Sequence, residues 1–140
     1  MNSFISWIGG KKLLRNEIVS RFPEKFDRYV EVFGGAGWVL FHKDKHAEQE
    51  VFNDYNGDLV NLYRCVKYHE PELKRELSYM LNSRELFDDF KAQYDVRGLT
   101  DIQKAAKYFM LIKTSYGSKM SSFGCVKKNV NAMIDYLGEI

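Results

Sequence analysis

Proline and cysteine are scarce in this sequence, and each scarcity narrows what the chain can do. Pro23 and Pro71 are the two prolines among 140 residues, so no Pro-Pro pair occurs. Cys65 and Cys125 are the two cysteines, and they match no metal-binding spacing. We therefore predict no metal site and two reduced, structural thiols, as is typical of a cytoplasmic protein.

Long apolar runs and a strong net charge are also missing. No stretch of about 18 apolar residues exists, which argues against a transmembrane helix. The first residues carry neither a basic region nor an apolar run, so they do not resemble a signal peptide. A chain of 140 residues with 45% hydrophobic content fits one globular domain with no membrane partner.

Charge is unevenly distributed along the chain, although its net value is only +2. From Ile102 onward there are six lysines against Asp135 and Glu139, which gives +4 and leaves −2 for residues 1–101. The six are Lys104, Lys107, Lys113, Lys119, Lys127 and Lys128. A basic C-terminal third is compatible with contact to phosphates. A solvated lysine face explains the same charge without a ligand, and charge alone favours it.

The order of predicted elements favours an α/β fold. Apolar spacing predicts a helix over 11–22. A strand predicted over 28–33 runs into the glycine-rich residues 34–37 and a short helix. A second strand, over 50–52, ends near Asp54. This order makes a βαβ unit, for which right-handed parallel pairing is expected.

Beyond Asp54 the pattern becomes helical, with a boundary near residue 57. Three apolar faces are formed, in turn, by Leu59, Leu62, Tyr63 and Val66, by Leu73, Leu77, Met80 and Leu81, and by Phe87, Phe90 and Tyr94. The third of these helices is expected to close near Gly98, and a capping box at Thr100 and Gln103 begins a fourth. Residues 114–124 are rich in Ser and Gly and predict a loop or hairpin, and residues 130–137 predict one more helix.

Gly34, Gly35 and Gly37 stand where the first strand gives way to a helix. Glycines let the backbone approach a ligand closely, and in a Rossmann-like unit this turn holds a nucleotide cofactor. Asp54 follows Gly37 by 17 residues, where a carboxylate can accept ribose hydroxyls. Taken alone, each feature also fits a plain turn or an N-cap. Together they predict one cleft lined by Gly35, Gly37 and Asp54.

A third feature is the segment Trp7-Ile8-Gly9-Gly10-Lys11, in which two glycines precede the first predicted helix. Backbone N–H groups at a helix N-terminus can face a ligand, with Trp7 as a flat apolar wall and Lys11 as a nearby cation. The alternative is a core tryptophan before an ordinary helix start. The segment alone favours that alternative.

The three features together resemble the DNA adenine methyltransferases of the Dam type (D12 class). Residues 7–11 match the W-x-G-G-K opening of that family. Residues 29–37 match its Y-V-E-P-F-x-G-x-G motif, with Val32 in place of the usual proline, and residues 53–59 match its x-D-x-N-x-D-L motif. The resemblance implies a partial Rossmann-like fold with an inserted helical target-recognition segment. It also implies a site-specific DNA adenine-N6 methyltransferase of bacteria or phage, with S-adenosylmethionine as methyl donor.

The resemblance also implies which residues form the sites. The expected cofactor contacts are Trp7, Gly10, Lys11, Glu31, Phe33, Gly35, Gly37 and Asp54. The expected contacts to double-stranded DNA are Lys113, Tyr116 and Lys119. Tyr116 would be an aromatic wedge beside an adenine extruded from the helix, with core packing as the alternative. Ile112 and Gly117 replace the family's usual asparagines around this loop, so the target sequence does not transfer.

The acceptor motif of the family, Asp-Pro-Pro-Tyr, does not occur in the sequence, so the catalytic residues stay unknown. We therefore expect a fragment, a natural truncation or half of a split protein, inactive alone and completed by a complementary C-terminal segment or a second copy. Residues 1–57 would begin the cofactor-binding catalytic domain, 58–125 would form the recognition segment, and 126–140 would return to the catalytic domain.

Two other function classes compete with this interpretation. A non-catalytic module that binds DNA or cofactor through a partner chain is favoured by the missing acceptor motif. A nicotinamide-dependent oxidoreductase would need a third loop glycine where Leu40 stands. A nucleoside triphosphate site would need a G-x-x-x-x-G-K-[ST] segment, which is absent.

Overall fold

A computed structural model describes residues 3–124 of the chain. Its elements are α1 (Arg15–Ser20), β1 (Arg28–Glu31), β2 (Gln49–Phe52), α2 (Gly57–Tyr68), α3 (Glu70–Ser78), α4 (Arg84–Ala92) and α5 (Asp101–Thr114). Single 3₁₀ turns lie at Leu40–His42 and Tyr116–Ser118. The helix predicted over 130–137, the second cysteine and the last two lysines lie outside the described residues.

The two strands pair in parallel, which confirms the α/β class and the predicted pairing. Tyr29 is in register with Glu50, and Glu31 with Phe52. The ladder continues past the strand ends, because the Asn53 N–H donates to the Glu31 carbonyl at 2.8 Å. The connection between the strands holds a 3₁₀ turn at Leu40–His42 where a short helix was predicted.

The two faces of the sheet have different surroundings. Tyr29 and Glu31 are buried on one face. On the opposite face Val30, Val32 and Val51 remain 48%, 51% and 39% exposed. Parallel sheets are normally covered on both faces, so the described residues leave an apolar face without cover. We call these three residues the valine face.

Three predicted helix boundaries were wrong. The first helix starts at Arg15 and not at Lys11, because turns occupy the residues that follow Gly10. Leu81 lies beyond the end of α3 and is 58% exposed, since α3 tightens into 3₁₀-type bonds after Leu77. α4 ends at Ala92, well before Gly98. The residues after Phe90 are exposed up to Gly98 and offer no buried apolar face to prolong that helix.

α5 lies at the centre of the main core. It begins at the predicted capping box, where Thr100 and Gln103 exchange both hydrogen bonds. Eight of its residues are buried: Ala105, Ala106, Tyr108, Phe109, Met110, Leu111, Ile112 and Thr114. The same core takes in Phe4 and Ile5 from the start of the described chain, and helices α2 to α4. The segments predicted to bind cofactor and the helical segment are therefore packed on one shared core, while the predicted boundary near residue 57 stays a prediction.

Two further findings concern the described part of the chain only. None of its helices has the length and apolar character needed to cross a membrane. Within residues 3–124, no group of three His, Cys, Asp or Glu side chains is arranged to hold a metal ion. Cys65 is buried and unbridged.

Candidate cofactor site

A cleft of about 220 Å³ lies at the carboxyl ends of the two strands. Its lining consists of Trp7, Ile8, Gly9, Gly10, Lys11, Phe33, Gly34, Gly35 and Asp54. Six of the eight predicted cofactor contacts therefore meet at one place. Glu31 and Gly37 are the two that do not line it. In parallel α/β sheets ligands bind at this end of the strands.

The Asp54 carboxylate connects the two loops that follow the strands. Its Oδ2 accepts a hydrogen bond from the Gly35 N–H at 2.9 Å, and its Oδ1 accepts one from the Asn56 N–H at 2.9 Å. Asp54 thus points toward the glycine loop, as the spacing predicts. Each carboxylate oxygen has two lone pairs, so both oxygens can accept a further hydrogen bond from a ligand.

Gly35 has a backbone conformation and a neighbour that both require glycine. Its φ is +51°, and a Cβ at this position would lie 2.8 Å from Trp7 Cδ1. Its carbonyl accepts a hydrogen bond from the Tyr63 hydroxyl at 3.2 Å. Trp7 therefore rests directly against the loop backbone and forms one wall of the cleft.

Half-buried Lys11 and buried Glu31 form an ion pair beneath the cleft. The Lys11 ammonium donates to the Phe33 carbonyl at 2.6 Å and to Glu31 Oε1 at 3.3 Å. Glu31 also accepts from the Tyr29 hydroxyl at 2.9 Å and from the Leu40 N–H at 3.1 Å. Burial and the neighbouring Glu31 raise the pKa of Tyr29 far above its usual value. Glu31 thus stabilises the end of β1 from inside and does not face the cleft.

Two predicted features of this region were wrong in geometry. Gly37 turns away from the cleft, and a Cβ there would lie 2.8 Å from the Phe41 ring and 3.3 Å from the Tyr63 hydroxyl. The N–H groups after the first two glycines do not form a helix N-terminus, since α1 begins only at Arg15. The Gly10 N–H is instead used in a turn to the Trp7 carbonyl at 3.1 Å.

The predicted DNA contacts lie around the segment that follows α5, which we call the recognition loop (residues 115–123). Its ends are joined by an antiparallel bridge between Ser115 and Phe123. Tyr116 is 74% exposed, so it does not pack in the core, and Lys119 is exposed as well. Lys113 is half-buried at the end of α5, with its Nζ 5.5 Å from the centre of the Phe109 ring.

Strain is concentrated in this loop. Ser118 and Met120 have φ values of +58° and +55°, a region that residues other than glycine seldom adopt. The loop is held in this shape by backbone hydrogen bonds from Tyr116 N–H to the Ser122 carbonyl at 2.9 Å and from Gly124 N–H to the Thr114 carbonyl at 2.7 Å. Backbone strain of this kind is common at functional sites.

A larger cavity, of about 570 Å³, lies beside β2 and α2. Phe41, Phe52 and Tyr63 supply much of its apolar wall. None of the eight predicted cofactor contacts lines it. We place the candidate site in the smaller cleft, because the glycine backbone, the carboxylate and the indole converge there.

Comparison with known families bears on the choice between the function classes. The sequence profile of the D12 class N6 adenine-specific DNA methyltransferases matches residues 7–132 of the 140. The chain belongs to this family. The oxidoreductase and triphosphate-binding alternatives are thereby set aside.

Individual methyltransferases show the same relationship. The chain is 28% identical over 122 residues to the type II methyltransferase M1.LlaDCHI of Lactococcus lactis subsp. cremoris, covering 83% of the chain and 42% of that protein. It is 41% identical over 64 residues to a DNA adenine methylase of Haemophilus influenzae, covering 46% of the chain and 22% of that protein. A DNA adenine methylase of Vibrio cholerae is 35% identical over 98 residues, covering 66% and 34%. The chain thus spans less than half the length of these methyltransferases.

Residues that sequence reasoning missed support the candidate site from the helical side. Asn56, the N-cap of α2, donates a backbone hydrogen bond to Asp54, and Tyr63 on α2 donates to the Gly35 carbonyl. Tyr108 on α5 in turn contacts the Asn56 side chain. Asn56 lies in the x-D-x-N-x-D-L motif of residues 53–59, so the sequence did contain a signal for this residue. Tyr108 carries no local signal, because its partner lies 52 positions away in the chain.

Substitution of Gly35 tests the architecture of the candidate cleft. Gly35→Ala places a methyl group against the Trp7 indole, so we expect a shifted Trp7 Nε1–H resonance in NMR spectra. Gly9→Ala is the matched control, since Gly9 also has a positive φ but has nothing within 4 Å of its missing Cβ. Both variants should lose about 1–2 kcal/mol of stability from the backbone conformation. Equal movement of the indole resonance in both variants would contradict the contact.

Proposed function

We propose that this chain carries the cofactor-binding and target-recognition parts of a site-specific DNA adenine-N6 methyltransferase that uses S-adenosylmethionine. The observation that carries the proposal is the convergence of Trp7, Gly35 and Asp54 on one cleft at the ends of two parallel strands. Membership of the adenine-specific family supplies the reaction class.

The residues present fit one end of a nucleoside-containing donor. Asp54 offers acceptor capacity for ribose hydroxyls, and the Trp7 indole offers an apolar wall for a flat base. Gly9, which also lines the cleft, has nothing within 4 Å of its missing Cβ, so a ligand can approach the backbone closely there. When bound, S-adenosylmethionine supplies an electrophilic methyl group.

The small volume of the cleft supports a half-site, in which the described residues form only one part of the cofactor pocket. Small-molecule sites usually enclose about 300–1,000 Å³, and this cleft holds about 220 Å³. Lys11 lies at the base of the cleft and donates to the Phe33 carbonyl and to Glu31, which ties the residues just after β1 to the end of that strand. The remaining wall of the site would come from residues beyond those described.

For the DNA side, we propose that Lys119 and Lys113 contact the phosphate backbone and that Tyr116 lies beside the extruded adenine. The exposure of Tyr116 and the closed recognition loop support this role. An amino group that takes part in base pairing must leave the stack before it can react. We therefore expect DNA binding to unstack the bases that lie next to Tyr116.

We further propose that the valine face is covered by a complementary segment of the methyltransferase domain, or by a second copy when that segment is absent. Val30, Val32 and Val51 form an apolar surface on a sheet that needs cover. A strand edge left unpaired beside them would add backbone hydrogen bonds to such a contact.

A second candidate function is a non-catalytic module that binds DNA or cofactor through a partner chain. The absence of an Asp-Pro-Pro-Tyr segment from the 140 residues favours it for the isolated chain. The two candidates share the cleft and differ in whether methyl transfer follows when a complementary segment is supplied.

Calorimetric titration tests the cofactor assignment. We expect weak binding of S-adenosylmethionine or its demethylated product, in preference to a nicotinamide dinucleotide, because the cleft is a half-site. Asp54→Ala should abolish the heat by removing the carboxylate that orients the ribose, whereas Asp44→Ala, at an exposed position, should leave it unchanged. Binding of the dinucleotide alone would reverse the assignment.

Light scattering tests the cover of the valine face. At micromolar concentration we expect the purified chain to associate, because the exposed valines favour removal from water. Val32→Asp should shift the mass toward the monomer, and Val96→Asp, which is equally exposed but off the sheet, should not. A wild-type chain that is cleanly monomeric argues against this surface.

Tritiated methyl transfer to adenine-containing duplex DNA tests the reaction itself. Catalysis requires the adenine nitrogen to lie in line with the donor methyl group. The 140 residues contain no Asp-Pro-Pro-Tyr segment that would hold that nitrogen. We expect no incorporation by the 140 residues alone and incorporation once a complementary downstream segment is added. Robust incorporation by the purified chain, free of host enzyme, would show that its acceptor residues lie elsewhere in the sequence. Binding without transfer even in the completed protein favours the non-catalytic module.

A further inference from the structure

A chain of hydrogen bonds runs from the glycine loop to the helical core. The Gly35 N–H donates to Asp54 Oδ2 at 2.9 Å, and the Asn56 N–H donates to Asp54 Oδ1 at 2.9 Å. The Asn56 amide then donates from Nδ2 to the hydroxyl of Tyr108, on α5, at 3.0 Å. These three links join residues that are 73 positions apart, from Gly35 to Tyr108.

Asn56 holds a fixed position because both ends of its side chain are used. Its Oδ1 accepts from the N–H groups of Asp58 and Leu59, each at 3.1 Å, which caps α2. Its Nδ2 is directed at Tyr108. The hydroxyl therefore keeps the amide in the orientation that caps the helix, and the Asn56 backbone then stays in reach of Asp54.

Tyr108 is itself firmly placed. Its side chain is 2% exposed, and its helix carries the largest set of buried residues among the described elements. Burial raises the pKa of the Tyr108 hydroxyl well above its usual value, so the group stays neutral in any ordinary buffer. A phenylalanine would fill the same space and lose only the link to Asn56.

A second tyrosine, Tyr94, makes a similar connection to a residue four positions after Asp54. The Tyr94 hydroxyl donates to Asp58 Oδ2, from the turn that follows α4. The ring centres of Tyr94 and Tyr108 lie 6.4 Å apart. The acidic segment that contains Asp54 is thus tied to the helical core at two neighbouring points.

We propose that Tyr108 is a positioning residue for Asp54, acting through Asn56 to hold the carboxylate against the glycine loop. This assignment rests on the proposed function, in which Asp54 binds the cofactor ribose. The same helix ends at Thr114, where the recognition loop begins. The element that presents the loop to DNA therefore also fixes the carboxylate of the cofactor site.

Amide hydrogen exchange in the chain without ligand tests the proposal. In Tyr108→Phe, the Gly35 amide should exchange about fivefold faster, the factor that corresponds to losing the benefit of one neutral hydrogen bond. The Gly34 and Gly37 amides are internal references, because they donate to the carbonyls of Asn53 and Gly34 and not to Asp54. Their exchange should stay unchanged. Tyr68→Phe, at an exposed position, is the matched control.

A second variant separates positioning from folding. Asn56→Ser keeps an N-cap acceptor for α2 but cannot reach Tyr108, so it should reproduce the selective change at Gly35. Equal acceleration of Gly34, Gly35 and Gly37 would show that Tyr108 only stabilises the core and would overturn the proposal. An unchanged Gly35 amide in both variants would overturn it too.

The affinity for S-adenosylmethionine gives a second, independent test of the role of Tyr108. If the wild-type chain binds S-adenosylmethionine, Tyr108→Phe should weaken that binding by about the same fivefold factor, and an unaltered affinity would overturn the role of Tyr108. If the wild-type chain does not bind it, the proposed function fails. The exchange rates then decide alone whether Tyr108 positions Asp54.

Discussion

The hydrogen bond from the Gly35 N–H to the Asp54 carboxylate is the contact on which the arrangement of this molecule depends. It joins the loop after β1 to the loop after β2, so the ends of the two strands become one surface. A hydrogen bond to a charged acceptor is worth about 1.5–3 kcal/mol, enough to offset the cost of a positive φ at a residue that has no side chain to anchor it. Trp7, which packs on Gly35, takes its place as a wall of the cleft through the same contact.

Support for this contact comes from both sides of the sheet. Beneath it, Glu31 accepts hydrogen bonds from Lys11, Tyr29 and Leu40, so a carboxylate that would be costly to bury is fully partnered. On the helical side, Tyr63 holds the Gly35 carbonyl, and Asn56 holds Asp54. The candidate cleft is therefore built as much by the helices as by the strands.

The sequence predicted the parts of the site whose causes are local. Gly35 and Asp54 could be found because positive φ and strand-end acids leave a pattern within a few residues of each motif. The start of α1 could not be found, since Lys11 is drawn to the end of β1 by contacts that the apolar periodicity does not record. The inward orientation of Glu31 depends in part on Lys11, 20 positions away, and the packing of Gly37 involves the Tyr63 hydroxyl on α2, so both features rest on tertiary neighbours. Tyr94 also escaped prediction as a contact, because it reaches Asp58 from beyond the end of its helix.

The central claim is that the cofactor occupies the cleft formed by Trp7, Gly35 and Asp54. NMR amide shifts recorded during titration with the demethylated product of S-adenosylmethionine test it most directly. The account predicts that the largest shifts fall on Gly10, Gly35 and Asp54 and on the Trp7 indole, in a contiguous patch at the strand ends. Shifts centred instead on Phe41, Phe52 and Val60, around the larger cavity beside β2, would contradict it.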